Sequence, residues 1–216
     1  MSQHSLPGPE TPVTVFLACF KRALVPDISP VGMGLQTPHT LAVGKNYLFQ
    51  IHCQGHTFSV MGGVVRWSLS ELRPDDTGSS VPLYSGGIEF DIPRSYTEQN
   101  LWHLLKENSP GEKRIGSPRI EPLYQVFADV FEAVDSEVGF LANGDLVFSA
   151  PRPFDPDGEW DLILAWGERH VEIVGRVVQV SKKDNQSAYL SVLEVMKCEP
   201  KGEELLNRMR ASFPRS

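Results

Sequence analysis

The feature that most constrains the fold of this chain is an internal repeat. Four segments of the first half recur in the second half in the same order, at offsets of about 105–114 residues. They are GKNYLFQI (44–51) with GEWDLILA (158–165), VMGGVVRWS (60–68) with IVGRVVQVS (173–181), LYSGGIEF (83–90) with AYLSVLEV (188–195), and SYTEQNLWHLL (95–105) with PKGEELLNRMR (200–210). Ordered self-similarity is typical of chains built from repeated supersecondary units. The sequence therefore predicts two copies of one unit.

Each copy has the pattern of several short strands followed by a helix. In the first copy, short apolar runs bounded by turn residues predict strands at 13–19, 32–37, 47–53, 57–68 and 81–90. Three leucines share one face of a predicted helix over 95–107, namely Leu101, Leu104 and Leu105. The fold class predicted is mainly β, with two small antiparallel β-barrels of six strands, each followed by a C-terminal α-helix.

One segment of the second copy fits two interpretations. The apolar residues of 121–135 recur with a helical period, whereas the repeat places the first strand of the second copy there. We favour the strand, because it matches Val13 to Phe20 in the first copy.

The domain division follows from the repeat and from a Pro- and Gly-rich break. Residues 1–12 are predicted to be a flexible lead-in, and 13–107 the first barrel with its helix. Residues 108–119 are predicted to be a linker, and 120–216 the second, divergent barrel with its helix. On this division, fragments 1–107 and 118–216 are expected to fold separately.

Charge and composition exclude several classes of protein. The formal net charge of -7 argues against nucleic-acid binding, which needs an excess of Lys and Arg. No apolar run is long enough to span a membrane, and three widely spaced cysteines indicate a reducing, cytoplasmic setting rather than a disulfide framework. The chain has no nucleophile elbow, Walker A loop or H-E-x-x-H motif, so we expect neither an enzyme nor a metal site.

The most informative stretch is VPDISPVGMGLQT, residues 25–37. It resembles the D/N-x-S-x-x-G signature of the PilZ family, with Asp27, Ser29 and Gly32 at the three defining positions. The segments GGVVRWS (62–68) and YSGGIEF (84–90) are similar to later barrel strands of that family. The resemblance covers 13–107 and extends more weakly, through the repeat, to about 120–210.

The resemblance implies a six-stranded barrel that binds cyclic di-GMP, a bacterial second messenger. The Asp carboxylate would accept hydrogen bonds from a guanine edge, the Ser hydroxyl would bond phosphate or base, and the Gly would let the ligand approach the backbone. The function implied is that of a non-enzymatic bacterial receptor or adaptor. Such a protein passes its signal to a protein partner in motility, adhesion or regulation.

The sequence departs from the family pattern in its basic residues. Nucleotide-binding members carry an R-x-x-x-R motif before the signature, where this chain has LPGPETP (6–12). The nearest arginine is Arg22, and the second copy has Arg114 and Arg119 in the linker before its first strand. The second copy lacks the signature: it has GFLANGD (139–145), in which only Gly144 aligns with Gly32.

Two interpretations of this departure remain open. In the first, the linker folds back to form a composite nucleotide site. Its candidate contacts to cyclic di-GMP are Asp27, Ser29, Gly32, Arg114 and Arg119, whereas Arg22 is the candidate contact if the ligand lies on the first barrel alone. In the second, nucleotide binding has been lost and the protein is a ligand-free protein-interaction module.

The composite site makes a prediction about two side chains far apart in the sequence. If it binds cyclic di-GMP, Arg119→Ala and Asp27→Ala should each weaken binding about ten- to hundredfold, because each removes charged hydrogen bonds to the ligand. The two losses should be non-additive, since both groups hold one ligand. Calorimetric titration measures them. An Arg22→Ala variant that abolishes binding while Arg119→Ala has no effect would contradict the composite site.

Overall fold

The computed structural model describes residues 12–74, 78–91, 122, 124–134, 138–150, 153–182 and 188–213. The described part is mainly β, as predicted, and contains twelve strands and one helix. The elements are β1 (Val13–Leu24), β2 (Ile28–Ser29), β3 (Gly32–Thr37), β4 (Asn46–Cys53), β5 (His56–Pro74), β6 (Ser80–Phe90), β7 (Phe127–Val134), β8 (Val138–Phe140), β9 (Leu146–Ala150), β10 (Glu159–Trp166), β11 (Arg169–Lys182), β12 (Tyr189–Cys198) and α1 (Glu203–Ser212).

The strands predicted at 32–37, 47–53 and 81–90 are confirmed within one residue, whereas β1 and β5 continue five and six residues past their predicted ends at 19 and 68. The ambiguous segment of the second copy forms strand β7, so the strand interpretation is confirmed. The helix predicted at the end of the second copy is α1, and no helix among the described residues is both long and apolar enough to cross a membrane. The helix predicted over 95–107 and the linker over 108–119 lie outside the described residues.

The repeat is visible in the pairing of the strands. Val64 of β5 lies opposite Ile88 of β6, and at the corresponding place Val177 of β11 lies opposite Leu193 of β12. In both hairpins a β-bulge follows the valine directly. A bulge disrupts regular pairing, so its recurrence at one position is strong support for a true repeat. The two copies predicted from the sequence therefore share this bulge at the equivalent position of their hairpins.

Contacts between Cα atoms divide the chain into two compact units. The central unit is Cys19–Glu132, and the terminal unit combines Met1–Ala18 with Ala133–Ser216. These bounds differ from the predicted division at 108–119, because the first strand of each repeat runs from one unit into the other.

The central unit contains a ring of six strands. Its strands follow the order β1–β3–β6–β5–β4–β7, and β7 adjoins β1 again. The ring closes where Leu24 of β1 lies opposite Gln36 of β3. Next to this closure, the backbone N–H of Val25 donates to the carbonyl of Val126 over 2.9 Å. The interior is filled by side chains that are almost fully buried: Ile28, Leu35, Phe49, Ile51, Val126 and Val130.

The terminal unit contains a sheet in the order β1–β10–β11–β12–β9–β8, together with α1. The helix follows a turn at Gly202, and Leu206 and Met209 on its apolar face are buried in the core. Two aromatic side chains, Phe148 and Phe154, pack edge to face in that core with ring centroids 5.6 Å apart. The helix therefore completes a hydrophobic core that the sheet alone would leave open to water.

The first strands of the two repeats are exchanged. Residues 127–131 of β7 pair with β4 of the first repeat, in the central unit. Residues 13–17 of β1 pair with β10 of the second repeat, in the terminal unit. Each sheet therefore takes one strand segment from the other repeat. This arrangement cannot be inferred from the order of the elements, because an antiparallel strand of either repeat satisfies the same backbone hydrogen bonds.

The exchange predicts that the two halves do not fold alone. Fragment 1–107 lacks β7, and with it Val126 and Val130, which contribute about 1.5–3 kcal/mol each when buried. That loss is a large fraction of the about 5–15 kcal/mol that stabilises a typical domain. We expect fragments 1–107 and 118–216 to lack cooperative urea unfolding separately and to regain it when mixed in equal amounts. A cooperative transition in either fragment alone would contradict the exchange.

Candidate functional site

The signature residues Asp27, Ser29 and Gly32 lie together at the hairpin between β2 and β3. Ser29 pairs with Gly32 across the turn, and the Ser29 hydroxyl donates to the Gly32 carbonyl oxygen over 3.0 Å. The same hydroxyl oxygen accepts from the Val31 N–H over 3.4 Å, and Ser29 is buried. The hydroxyl is therefore engaged within its own turn, as is common for Ser in tight turns.

Gly32 is required by a close approach of two strands. A Cβ at this position would lie 2.2 Å from the carbonyl oxygen of Ile88 on β6. Beside it, the Phe90 N–H donates to the Val31 carbonyl oxygen over 2.9 Å, so the turn is joined to the end of β6. A glycine is thus needed here for packing of the ring, whether or not a ligand binds.

Asp27 is held at the entrance to the hairpin by contacts with β3. Its carbonyl oxygen accepts from the Gly34 N–H over 2.9 Å. A Cβ on Gly34 would lie 2.8 Å from Oδ2 of Asp27, so the glycine at 34 leaves space for the carboxylate. Asp27 is half-buried. Its carboxylate is not a partner in the two hydrogen bonds of the Ser29 hydroxyl.

The corresponding turn of the second repeat carries different side chains. The register of β9 with β12 places Asp145 at the position of Gly32, so the alignment of Gly144 with Gly32 from the sequence was wrong by one residue. Gly144 lies at the turn with a φ of 90°, and its carbonyl oxygen accepts from Nε of Arg210 on α1 over 3.1 Å. A side chain of the terminal helix thus covers this turn.

Arg22 lies against β7. Its backbone has a φ of 60°, and its N–H donates to Oδ1 of Asp129 over 2.8 Å. Its guanidinium carbon is 4.7 Å from the centre of the Phe127 ring. Among the described contacts, no hydrogen bond or ion pair joins Arg22 to Asp27, Ser29 or Gly32. The structure therefore gives Arg22 a packing role on β7.

The other two arginines proposed from the sequence, Arg114 and Arg119, lie outside the described residues. The structure therefore brings together three of the six candidate contacts, those of the signature, and places a fourth, Arg22, against β7. The composite site stays a prediction.

A group of titratable side chains lies on the outside of the central unit. Lys45 forms an ion pair with Glu132, and Sγ of Cys19 is 3.8 Å from Oε2 of the same carboxylate. The hydrogen bond to Glu132 raises the pKa of Lys45 above its ordinary value. Because the lysine already engages the carboxylate and both side chains are partly exposed, this is a surface ion pair of small energetic weight. It offers no arrangement of nucleophile and free base.

The most conspicuous exposed apolar surface of the central unit is on the hairpin of β5 and β6. The pairing of β4 with β5 stops at Gly63, and the pairing of β3 with β6 stops at Tyr84. The hairpin continues past both points to Pro74 and Ser80. We call residues 65–74 and 80–84 the β5–β6 arm.

The arm is longer than its counterpart in the second repeat. The offset between equivalent residues is 113 for β5 and β11 but 105 for β6 and β12, so the first hairpin has eight additional residues. Three large apolar residues in the arm, Val65, Leu69 and Leu72, are 54%, 54% and 63% exposed. An isolated two-stranded hairpin is only marginally stable in water, so exposed leucines on one suggest a contact surface.

No protein-family model matches this chain, and no curated protein or solved structure is detectably similar to it. The resemblance to the PilZ family therefore rests on the residues 25–37 and on the strand pattern alone.

Sequence reasoning missed the residues that build the site around the signature. Gly34 leaves room for the Asp27 carboxylate, and the carbonyl of Ile88 leaves room only for a glycine at position 32. Arg210 covers the equivalent turn of the second repeat. The arm was also missed, although a signal was present. The offset between the repeats is 113 residues at β5 and 105 residues at β6, so the additional residues must lie between these two strands.

The steric role of Gly32 predicts a large difference between two glycine substitutions. Gly32→Ala forces a Cβ against the Ile88 carbonyl and should lower the free energy of unfolding by about 1–3 kcal/mol. The control is Gly139→Ala in β8, where a Cβ meets no atom within 4 Å, and its effect should stay below about 0.5 kcal/mol. Urea unfolding measures both. Equal effects would contradict the steric explanation.

Proposed function

We propose that this protein is a non-enzymatic, PilZ-like signalling adaptor that acts by binding another protein and has lost nucleotide binding. In this proposal both repeats are divergent PilZ-like barrels in the cytoplasm, and the partner belongs to motility, adhesion or regulation. The observation that carries the proposal is the β5–β6 arm, which the first repeat adds to the shared fold and which exposes leucines to solvent.

The state of the signature supports the loss of nucleotide binding. The Ser29 hydroxyl is buried and bonded within its turn, and the neighbouring strand requires Gly32. An arginine fork, which binds phosphate by two parallel hydrogen bonds, is absent from the segment before the signature, LPGPETP (6–12). Packing and hydrogen bonding of the turn account for Ser29 and Gly32 without a bound ligand.

Cyclic di-GMP reception is a second candidate, and one observation favours it. The Asp27 carboxylate lies beside the turn, in a space that Gly34 leaves for it, where a guanine edge would donate to it. In this alternative, Asp27 binds the base and the arginines of the linker, Arg114 and Arg119, bind the phosphates.

Titration calorimetry of the full chain with cyclic di-GMP separates the two candidates, with GTP and cyclic AMP as controls. The adaptor proposal predicts no heat of binding up to high-micromolar ligand. Selective micromolar binding that Asp27→Ala removes would overturn the loss of nucleotide binding and favour the receptor.

A photoreactive amino acid tests the arm as a binding surface. Placed at Leu72, it should capture a protein in the cells that produce the chain, because this side chain is the most exposed leucine of the arm. The matched control is the same group at Val178, an exposed apolar position on the equivalent hairpin of the second repeat. If both positions give the same products, or neither gives any, the arm is not the binding surface.

A further inference from the structure

Within the part of the chain that the structure describes, one backbone edge of the β5–β6 arm has no partner strand. On the side of β4, the last paired residue of β5 is Val64, whose N–H donates to the Lys45 carbonyl and whose carbonyl accepts from the Gly44 N–H. After Val64, no described strand pairs with β5 on that side. The edge extends from residue 65 to residue 74. Unpaired N–H and C=O groups along an exposed strand are a template for pairing with another strand.

The two faces of the arm differ in chemistry. The ladder with β6 places Trp67, Leu69 and Leu72 on one face, the same face as the buried Val64. Arg66, Ser68, Glu71 and Arg73 lie on the other face, because Ser70 is the extra residue of a bulge. An apolar face therefore continues outward from the interior of the ring, and a charged face lies behind it.

The order of side chains along this edge is self-complementary. When two copies of β5 are set antiparallel with Ser68 opposite Ser68, and Ser70 is passed over as the extra residue of the bulge as it is in the pair with β6, Arg66 of each copy lies opposite Glu71 of the other. In the same register Trp67 lies opposite Leu69, so the apolar face also matches. Opposite charges and aromatic–aliphatic pairs directly across two strands both stabilise pairing.

Charge selects this register over its neighbour. If Leu69 lay opposite Leu69 instead, and Ser70 were again passed over as the bulge residue, Arg66 would face Arg73 of the other copy. Like charges directly opposite each other destabilise a sheet. Among the described ion pairs none involves Arg66, whereas Glu71 already contacts Arg73. Arg66 is thus an exposed cation that has no ion partner among the described residues, and Glu71 of a second copy would place an anion opposite it.

We propose that the occupant of the arm is a second copy of this chain, joined through the free edge of β5 in the register that sets Ser68 opposite Ser68. This inference rests on the proposed function in taking the arm as a binding surface, and it assigns the free edge of β5 to a second copy instead of to the signalling partner. The resulting sheet would run through both arms, set Trp67 of each copy beside Leu69 of the other, and pair backbone groups between Arg66 and Glu71 of the two edges.

Charge reversal in the full chain tests the register. Sedimentation velocity over a concentration series should show a monomer–dimer equilibrium. Arg66→Glu or Glu71→Arg should raise the dimer Kd about tenfold or more, because each creates two repulsive pairs. The variant with both charge reversals should restore the Kd. The control is Gln179→Glu: Gln179 is exposed and is the residue of the second repeat that corresponds to Arg66, so this change should leave the Kd unchanged.

A cysteine at the centre of the register gives a direct readout. Residues directly opposite in an antiparallel pair have Cα atoms about 4.5–5.5 Å apart, within reach of a disulfide. Mild oxidation of Ser68→Cys should therefore give a covalent dimer beyond any background from the native cysteines. The same change at Ser181, the equivalent position in the second repeat, should not.

The possible results separate this inference from the proposed function. A monomer at every concentration overturns self-pairing and leaves the arm to a different protein, which the photoreactive group at Leu72 would capture. A dimer that is indifferent to both charge reversals, with no cross-link at position 68, also overturns it. Cyclic di-GMP binding in the calorimeter overturns the proposed loss of nucleotide binding, whatever the oligomeric state.

Discussion

The exchange of the first strands is the constraint on which the rest of the structure depends. The ring of the central unit closes only because β7, a strand of the second repeat, lies between β4 and β1. The terminal sheet likewise includes residues 13–17 of the first repeat. A strand removed from either sheet would leave an unpaired edge and open the core, and for this reason we expect the two repeats to depend on each other for folding.

Ring closure also explains the signature turn. The turn between β2 and β3 lies at the start of β3, which pairs with β1 on one side and with β6 on the other. The ring brings β6 so close to this turn that only glycine fits at position 32. Ser29 then satisfies the backbone of the turn with its own hydroxyl. A motif that would bind a nucleotide in the PilZ family is thus fully compatible with a purely structural role here. Asp27 remains the residue whose side chain distinguishes the two roles.

The two repeats have diverged at opposite ends of the same fold. In the second, α1 places Arg210 over the turn that corresponds to the signature, and the β11–β12 hairpin is short. In the first, the equivalent hairpin is extended by eight residues into an exposed amphipathic arm. The proposed function and the proposed self-pairing both follow from that extension, because the added residues contribute nothing to either core.

The sequence by itself determined the local elements and the repeat. Alternating apolar residues and turn signals predicted β3, β4 and β6 within one residue but ended β5 six residues early, and the ordered similarity of the halves identified β7 as a strand and α1 as a helix. Both kinds of signal are local, since they depend on side chains within one element. The same is true of the Asp27–Gly32 motif, whose residues lie within one turn.

Only the tertiary structure decided which strands pair and what surrounds the motif. Backbone hydrogen bonds are the same for every residue, so no local pattern shows that β4 pairs with β7 and β10 with β1. The contact of Gly32 with Ile88 and that of Arg22 with Asp129 join residues far apart in the chain, and they exist only once the ring has closed. The exposure of Leu69 and Leu72 was likewise decided by where β3 and β4 end, which leaves part of an otherwise ordinary strand uncovered.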